Sequence, residues 1–134
     1  MPTDDQLRSI YADTETIAVV GASSDPNKAG HAIPRYLQSV GYRIIPVSPK
    51  GGELFGETVR TSLKDIDEPV DVVDVFRPAE EAPGIAQEAA DIGAKVLWLQ
   101  GGLWSDIAYE IGKGEGLTVI MDMCMGATHR RLFD

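Results

Sequence analysis

The sequence predicts an α/β fold, a doubly wound parallel sheet of five strands with helices on both faces. Three observations predict it. Short apolar runs alternate with segments whose apolar residues recur at helical spacing, which is the pattern of βαβ units. The first run ends in a glycine and a loop rather than in a hairpin turn. No repeat, low-complexity segment or linker interrupts the 134 residues, so residues 1–134 are expected to form one domain. Right-handed crossovers then place helices on both faces of the sheet.

TIAVVG at 16–21 is strand one. GHAIPRYLQSV at 30–40 carries Ile33, Leu37 and Val40 at helical spacing, and Gly41 stops it. Pro34 is placed near the start of that helix, where its missing N–H costs least. YRIIPV at 42–47 is strand two, followed by the loop SPKGGELFGE and a short helical turn at 61–66. VDVVDVF at 70–76 is strand three. PAEEAPGIAQEAADIG at 78–93 is a helix with acids in its first turn, at the positive end of the helix dipole. AKVLWLQ at 94–100 is strand four, and 103–111 is a helix that GKGEG breaks early. LTVIMD at 117–122 is strand five, and Cys124 to Phe133 form a last short helix. The expected sheet order is 3-2-1-4-5, a Rossmann-like arrangement with its switch point beside strand one. Ligands of such sheets sit there, outside the carboxyl ends of the strands.

Composition narrows the function classes. A net charge of −9 argues against non-specific binding to nucleic acid or an anionic membrane surface. It leaves room for a small anion held by local donors. One cysteine, Cys124, can form neither an internal disulfide nor a zinc cluster, so a reducing cytoplasm is expected. The opening MPTDDQLRSIY is polar and acidic, unlike a signal peptide. No apolar run reaches the ~18 residues of a membrane span.

The strand tips carry the chemistry. Gly21 permits a sharp turn. Gly21, Ala22, Ser23 and Ser24 offer backbone N–H groups and hydroxyls, and the helix near Gly30 points its positive end at the same place. This geometry suits a pyrophosphate, although the spacing is not G-x-G-x-x-G and a plain strand-to-helix turn reads the same way. Asp25 in the loop would have to turn away and cap. The second tip, Ser48-Pro49-Lys50-Gly51-Gly52, has no acid before Glu53. An NAD site normally places an acid there for the ribose diol. A hydroxyl, a cation and two glycines suit a phosphorylated ribose instead, as in NADP or coenzyme A, unless Lys50 is a solvated loop lysine. At the third tip, Phe76-Arg77-Pro78, Arg77 either meets an adenine or phosphate or pairs with Glu80 or Glu81. The fourth tip supplies the Gln100 amide and the Gly101-Gly102 backbone.

Five collinear segments carry a family resemblance: IAVVGASSDPNKAG, GYRIIPVSPKGGELFGETV, EPVDVVDVFRPAE, GAKVLWLQGG and DMCMGATHRRL. Over residues 9–133 the chain resembles the small free-standing CoA-binding domain proteins. These in turn resemble the N-terminal CoA-binding domain of the succinyl-CoA synthetase alpha subunit. The resemblance implies that Ser23 and Ser24 meet the CoA pyrophosphate and Lys50 the phosphorylated ribose. It further implies that Phe76, Arg77 and Pro78 flank the adenine, and that Gln100 and Gly101 border the pantetheine path. The chain departs from the family pattern at Ser48, usually Asn, and at Met123, often Arg.

Catalysis needs a nucleophile or an acid–base pair within reach. Cys124 lies at an expected helix start on the ligand side of the sheet, where a thiolate is stabilised, or else is an inert buried thiol. Neither His31 nor His129 is placed beside it. The reading is therefore non-catalytic binding of CoA or an acyl-CoA. The alternatives are a small NADP-linked oxidoreductase, which would lack its Tyr-x-x-x-Lys pair, and a nucleotide-sensing interaction subunit.

Overall fold

The computed structural model describes residues 2–134. In chain order the elements are α1 (Asp4–Asp13), β1 (Thr16–Val20), α2 (Ala29–Ser39), β2 (Arg43–Val47), β3 (Glu53–Leu54) and β4 (Glu57–Thr58). A 3-10 turn at Leu63–Asp65 precedes β5 (Val72–Val75), and another at Ala79–Glu81 leads into α3 (Ala82–Asp91). Then follow β6 (Val96–Leu99), α4 (Asp106–Gly114), β7 (Thr118–Ile120) and α5 (Met125–Phe133). The five long-range strands form one parallel sheet in the order β2-β1-β5-β6-β7, and β3 and β4 pair as a separate antiparallel hairpin.

The α/β class is as expected, but the strand order is not 3-2-1-4-5. Counted as the sequence numbers them, the strands run 2-1-3-4-5. The segment after β2 explains the difference. It carries no α-helix and turns back along the outer edge of β2, where Arg60 N–H donates to Pro46 O at 3.0 Å and Ser48 N–H donates to Arg60 O at 2.9 Å. That occupies the position assigned to strand three. The chain then crosses one face of the sheet, burying Leu63, Ile66 and Val70. It docks β5 against β1 instead, where Asp71 Oδ2 accepts from the N–H groups of Glu15 and Thr16 at 2.8 and 3.0 Å. The switch point stays beside β1, now between β1 and β5.

Two cores follow from the period-two alternation of side chains along the strands. Ala18, Ile45, Val73 and Leu97 pack under α3 and α4, with Ala82, Ala86, Ala89 and Ala108 allowing close helix approach. Ile17, Val19, Ile44, Val72 and Trp98 pack under α1, α2 and α5, with Leu7, Tyr11, Leu37 and Met125. Helix α1 is an addition to the expected elements. Its start is a capping box in which Thr3 Oγ1 accepts from Gln6 N–H and Gln6 Oε1 accepts from Thr3 N–H. Its Tyr11 hydroxyl donates to Met125 O at 2.6 Å and ties α1 to α5.

Two further expectations are corrected. Gly112 does not end α4, which continues to Gly114. A Cβ at Gly112 would stand 2.6 Å from Val119 Cγ2, so the glycine serves the contact between α4 and β7. Pro34 lies in the interior of α2 rather than near its start. A proline there leaves the carbonyl four residues earlier without its helical donor. That carbonyl belongs to Gly30, and it accepts Ser23 N–H at 3.1 Å from the loop after β1. Among the described residues no helix is long and apolar enough to cross a membrane.

Candidate functional site

A crevice of about 500 Å³ opens at the carboxyl ends of β1, β2 and β5. Its first wall is the loop from Gly21 to Gly30. Gly21 continues the β1–β2 pairing, with its N–H on Val47 O at 3.1 Å, and then turns at φ 91°. Any Cβ there would meet Arg77 Cδ at 3.0 Å, besides the strain of the left-handed conformation. Gly30 lets the start of α2 lie against the end of β1, since a Cβ would stand 2.6 Å from Gly21 O. The loop satisfies its own polar groups. Ser23 Oγ accepts from Asp25 N–H at 3.0 Å, and Asp25 Oδ1 accepts from Asn27 N–H at 2.9 Å, so the acid caps the turn.

The start of α2 is left open. Its N-cap residue is Lys28, which makes no side-chain cap. By contrast α1, α4 and α5 are capped by Thr3, Ser105 and Cys124. The N–H groups of His31 and Ala32 both turn to Lys28 O. The helix therefore presents the N–H groups of Ala29 and Gly30, with the positive end of its dipole, to the crevice.

The second wall is the turn after β2. Lys50 N–H donates to Ser48 Oγ at 3.3 Å and Gly51 N–H to Ser48 O at 3.2 Å. Gly51 and Gly52 follow in left-handed conformations, φ 64° and 92°. The third wall is Phe76 and Arg77 at the end of β5. Arg77 Nη2 pairs with Glu81 Oε2 at 2.7 Å, an interaction that raises the arginine's pKa and lowers the glutamate's. The pairing anticipated with Glu80 or Glu81 thus falls on Glu81, while Arg77 still lines the crevice. Three cations, Lys28, Lys50 and Arg77, face it against one acid, Glu53. In a chain of net charge −9 this is a local reversal of sign.

Ten of the thirteen residues singled out from sequence line this crevice: Gly21, Ala22, Ser23, Ser24, Gly30, Ser48, Pro49, Lys50, Phe76 and Arg77. Pro78, Gln100 and Gly101 do not. Pro78 is exposed at the head of the 3-10 turn before α3, and Gly101 is exposed beyond β6. Gln100 is buried, and its amide is used inside the protein. Its Nε2 donates to Asp74 Oδ1, and its Oε1 accepts from Met125 N–H at 3.4 Å. Its side chain therefore braces α5 against β5. Cys124 is half-buried, with Sγ accepting from Ala127 N–H at 3.4 Å, and it lies outside the crevice lining. The rest of the lining is Gly51, Gly52 and Glu53, which continue the tip after β2, and Lys28, Ala29 and Leu54, which the sequence did not point to. A helix start with no Ser, Thr, Asp or Asn at its cap was the available signal for Lys28 and Ala29. Leu54 arrives on the hairpin, whose two-residue strands are too short to carry a periodic pattern.

A parallel α/β sheet with helices on both faces, an uncapped helix start and clustered cations at its switch point defines a Rossmann-like α/β domain. The chain belongs to the CoA binding domain family, whose model matches residues 15–130. It is 41% identical over 128 residues to the uncharacterized protein YneT of Bacillus subtilis (strain 168), covering 96% of this chain and 95% of that one. It is 26% identical over 120 residues to an ADP-forming acetate–CoA ligase of Methanocaldococcus jannaschii, covering 84% of this chain but only 17% of the ligase. Among solved structures, the Thermus thermophilus protein cell-free ID.343 superposes with a TM-score of 0.95 at 40% identity, over 98% of this chain and 100% of that chain.

Proposed function

We propose that this protein binds coenzyme A, or an acyl-CoA, in the crevice between β1, β2 and β5, and that it binds without catalysing a reaction. The observation that carries the reading is the open start of α2 facing Lys28 and Lys50, with Ser48 rather than an acid at the end of β2. The pyrophosphate sits on the N–H groups of Ala29 and Gly30, with Ser23 and Ser24 beside it. Lys50 meets the 3′-phosphate of the ribose, held there by the glycine turn. Phe76 and the stem of Arg77 flank the adenine. The pantetheine arm leaves along the backbone at Gly101, since the Gln100 amide is already committed to Asp74.

The loop favours binding over chemistry. His31 is the imidazole nearest the serines, and its Nδ1 lies 2.7 Å from the Ser23 carbonyl. The ring thus engages the Ser23 backbone rather than its hydroxyl, which accepts from Asp25 N–H. Thermal denaturation with CoA, dephospho-CoA, NADP and NAD in parallel tests the proposal. CoA at ~100 times its dissociation constant should add about 2.7 kcal/mol of stability. Dephospho-CoA should add less, and Lys50→Ala should remove that difference, because only CoA carries the 3′-phosphate. Stabilisation by NADP or NAD and not by CoA overturns the proposal.

A further inference from the structure

The sheet has two edges and treats them differently. The outer edge of β2 is covered by the returning chain, through the two Arg60 backbone bonds described above and the ion pairs of Arg43 with Glu57 and Glu68 at 3.3 and 3.0 Å. The proline in β2, Pro46, has its missing N–H on that covered side. Among the described residues β7 has no such cover. Thr118 N–H donates to Lys95 O, and the register pairs Thr118 and Ile120 with Val96 and Trp98 of β6. In a parallel ladder alternate residues bond to the same neighbour, so the N–H and C=O of Val119 point away from the sheet. An open edge of this kind is a template for another strand.

Here the open edge is the floor of a groove of about 630 Å³. Its walls come from both faces of the sheet: Gln6 on the α1 side, and Trp104, Tyr109, Asp106 and Glu110 on the α4 side. Trp104 is 54% exposed, and its neighbour Ile107 is 66% exposed. The charges in the lining are all negative, with no Lys or Arg among them. Lys113 lies one turn further along α4 and is drawn over the Tyr109 ring, 5.4 Å from its centroid. A symmetric pair of copies would set this patch against itself, acid on acid, in a chain of net charge −9. The chemistry that fits is the opposite sign on an extended backbone.

We propose that the β7 edge receives an extended basic segment of another polypeptide as a sixth strand. The segment's backbone pairs with Val119, its apolar side chains lie against Trp104, and its alternate Lys or Arg side chains meet Asp106 and Glu110. Strand addition of this kind takes affinity from main-chain bonds and selectivity from alternate side chains. The proposal is independent of the ligand held at the switch point.

The test titrates the full-length protein with the synthetic peptide acetyl-Lys-Val-Lys-Val-Lys-Val-amide, following the Val119 amide by NMR and hydrogen exchange. The expected result is a saturable Val119 shift and at least roughly tenfold slower exchange. The same peptide with Glu in place of Lys should not bind. Asp106→Asn with Glu110→Gln should weaken binding roughly three- to tenfold, the range expected for two exposed ion pairs. Val119→Pro removes the outward N–H at an edge position where proline is tolerated, and should abolish binding. If that variant fails to fold, the charge variant carries the test alone. An unperturbed Val119, equal binding of the acidic peptide, or a peptide-free dimer in which Val119 is already protected overturns the proposal.

Discussion

Asp74 stands inside the core with one carboxylate oxygen on Gln100 Nε2 and the other without a hydrogen-bond partner. Burial pushes its pKa up to about 7, against the pull of the Gln100 bond. The ordinary value is ~3.9, so between about pH 4 and pH 7 the folded protein holds a proton that the unfolded chain has released. Stability therefore falls as pH rises through that window and levels off above it. The unfolding free energy of Asp74→Asn should lack this term. From pH 5 to pH 8 the wild type should lose on the order of 3 kcal/mol relative to the variant, measured by urea denaturation at each pH. Parallel curves would contradict the assignment. At this scale the sequence was legible for backbone-defined positions such as Gly21, Gly30 and Lys50, whose place in the crevice lining follows from the loops after the strands. It was not legible for Gln100. Which way that amide turns depends on Asp74 in a neighbouring strand, and Asp74 reads in sequence as one polar residue within an apolar run.

The elements around the crevice are fixed by backbone packing more than by helix propensity. In α2, an alanine at Gly30 would gain roughly 1 kcal/mol of helix propensity. It would also drive a Cβ to 2.6 Å from the Gly21 carbonyl, where neither partner is a flexible side chain. Overpacking of this kind costs roughly 1–3 kcal/mol, and the shift would fall on the N–H groups at the open start of α2. Gly84 in α3 supplies the contrast, since a Cβ there meets nothing within 4 Å and its backbone is helical. Gly30→Ala should therefore lower the melting temperature and weaken CoA binding at least roughly tenfold, whereas Gly84→Ala should raise the melting temperature and leave binding unchanged. Equal effects in denaturation and calorimetric titration would contradict the packing account. Helical spacing made α2 readable, yet the role of Pro34 escaped. The carbonyl it frees is satisfied by Ser23, eleven residues earlier and outside the helix, and no local rule reports such a bond.

For the whole molecule, the α/β class and the location of the crevice were readable because apolar runs set the strands and the switch-point rule sets the crevice. The strand order was not, because it turns on a segment without helical or strand periodicity. That segment shields the β2 edge through Arg60 and so sends β5 to the other side of β1. The outcome leaves two surfaces of opposite character. A cationic crevice lies between β1, β2 and β5, and an acidic groove lies over β7. The claim that matters most is that CoA occupies the first of these through the open start of α2. An amide-resolved NMR titration with CoA tests it directly. The account predicts the largest shifts at Ser24, Ala29, Gly30, Lys50 and Gly51, with Val119 and its neighbours in β7 unmoved. Shifts centred on β7, or none at the start of α2 at saturating CoA, would contradict it.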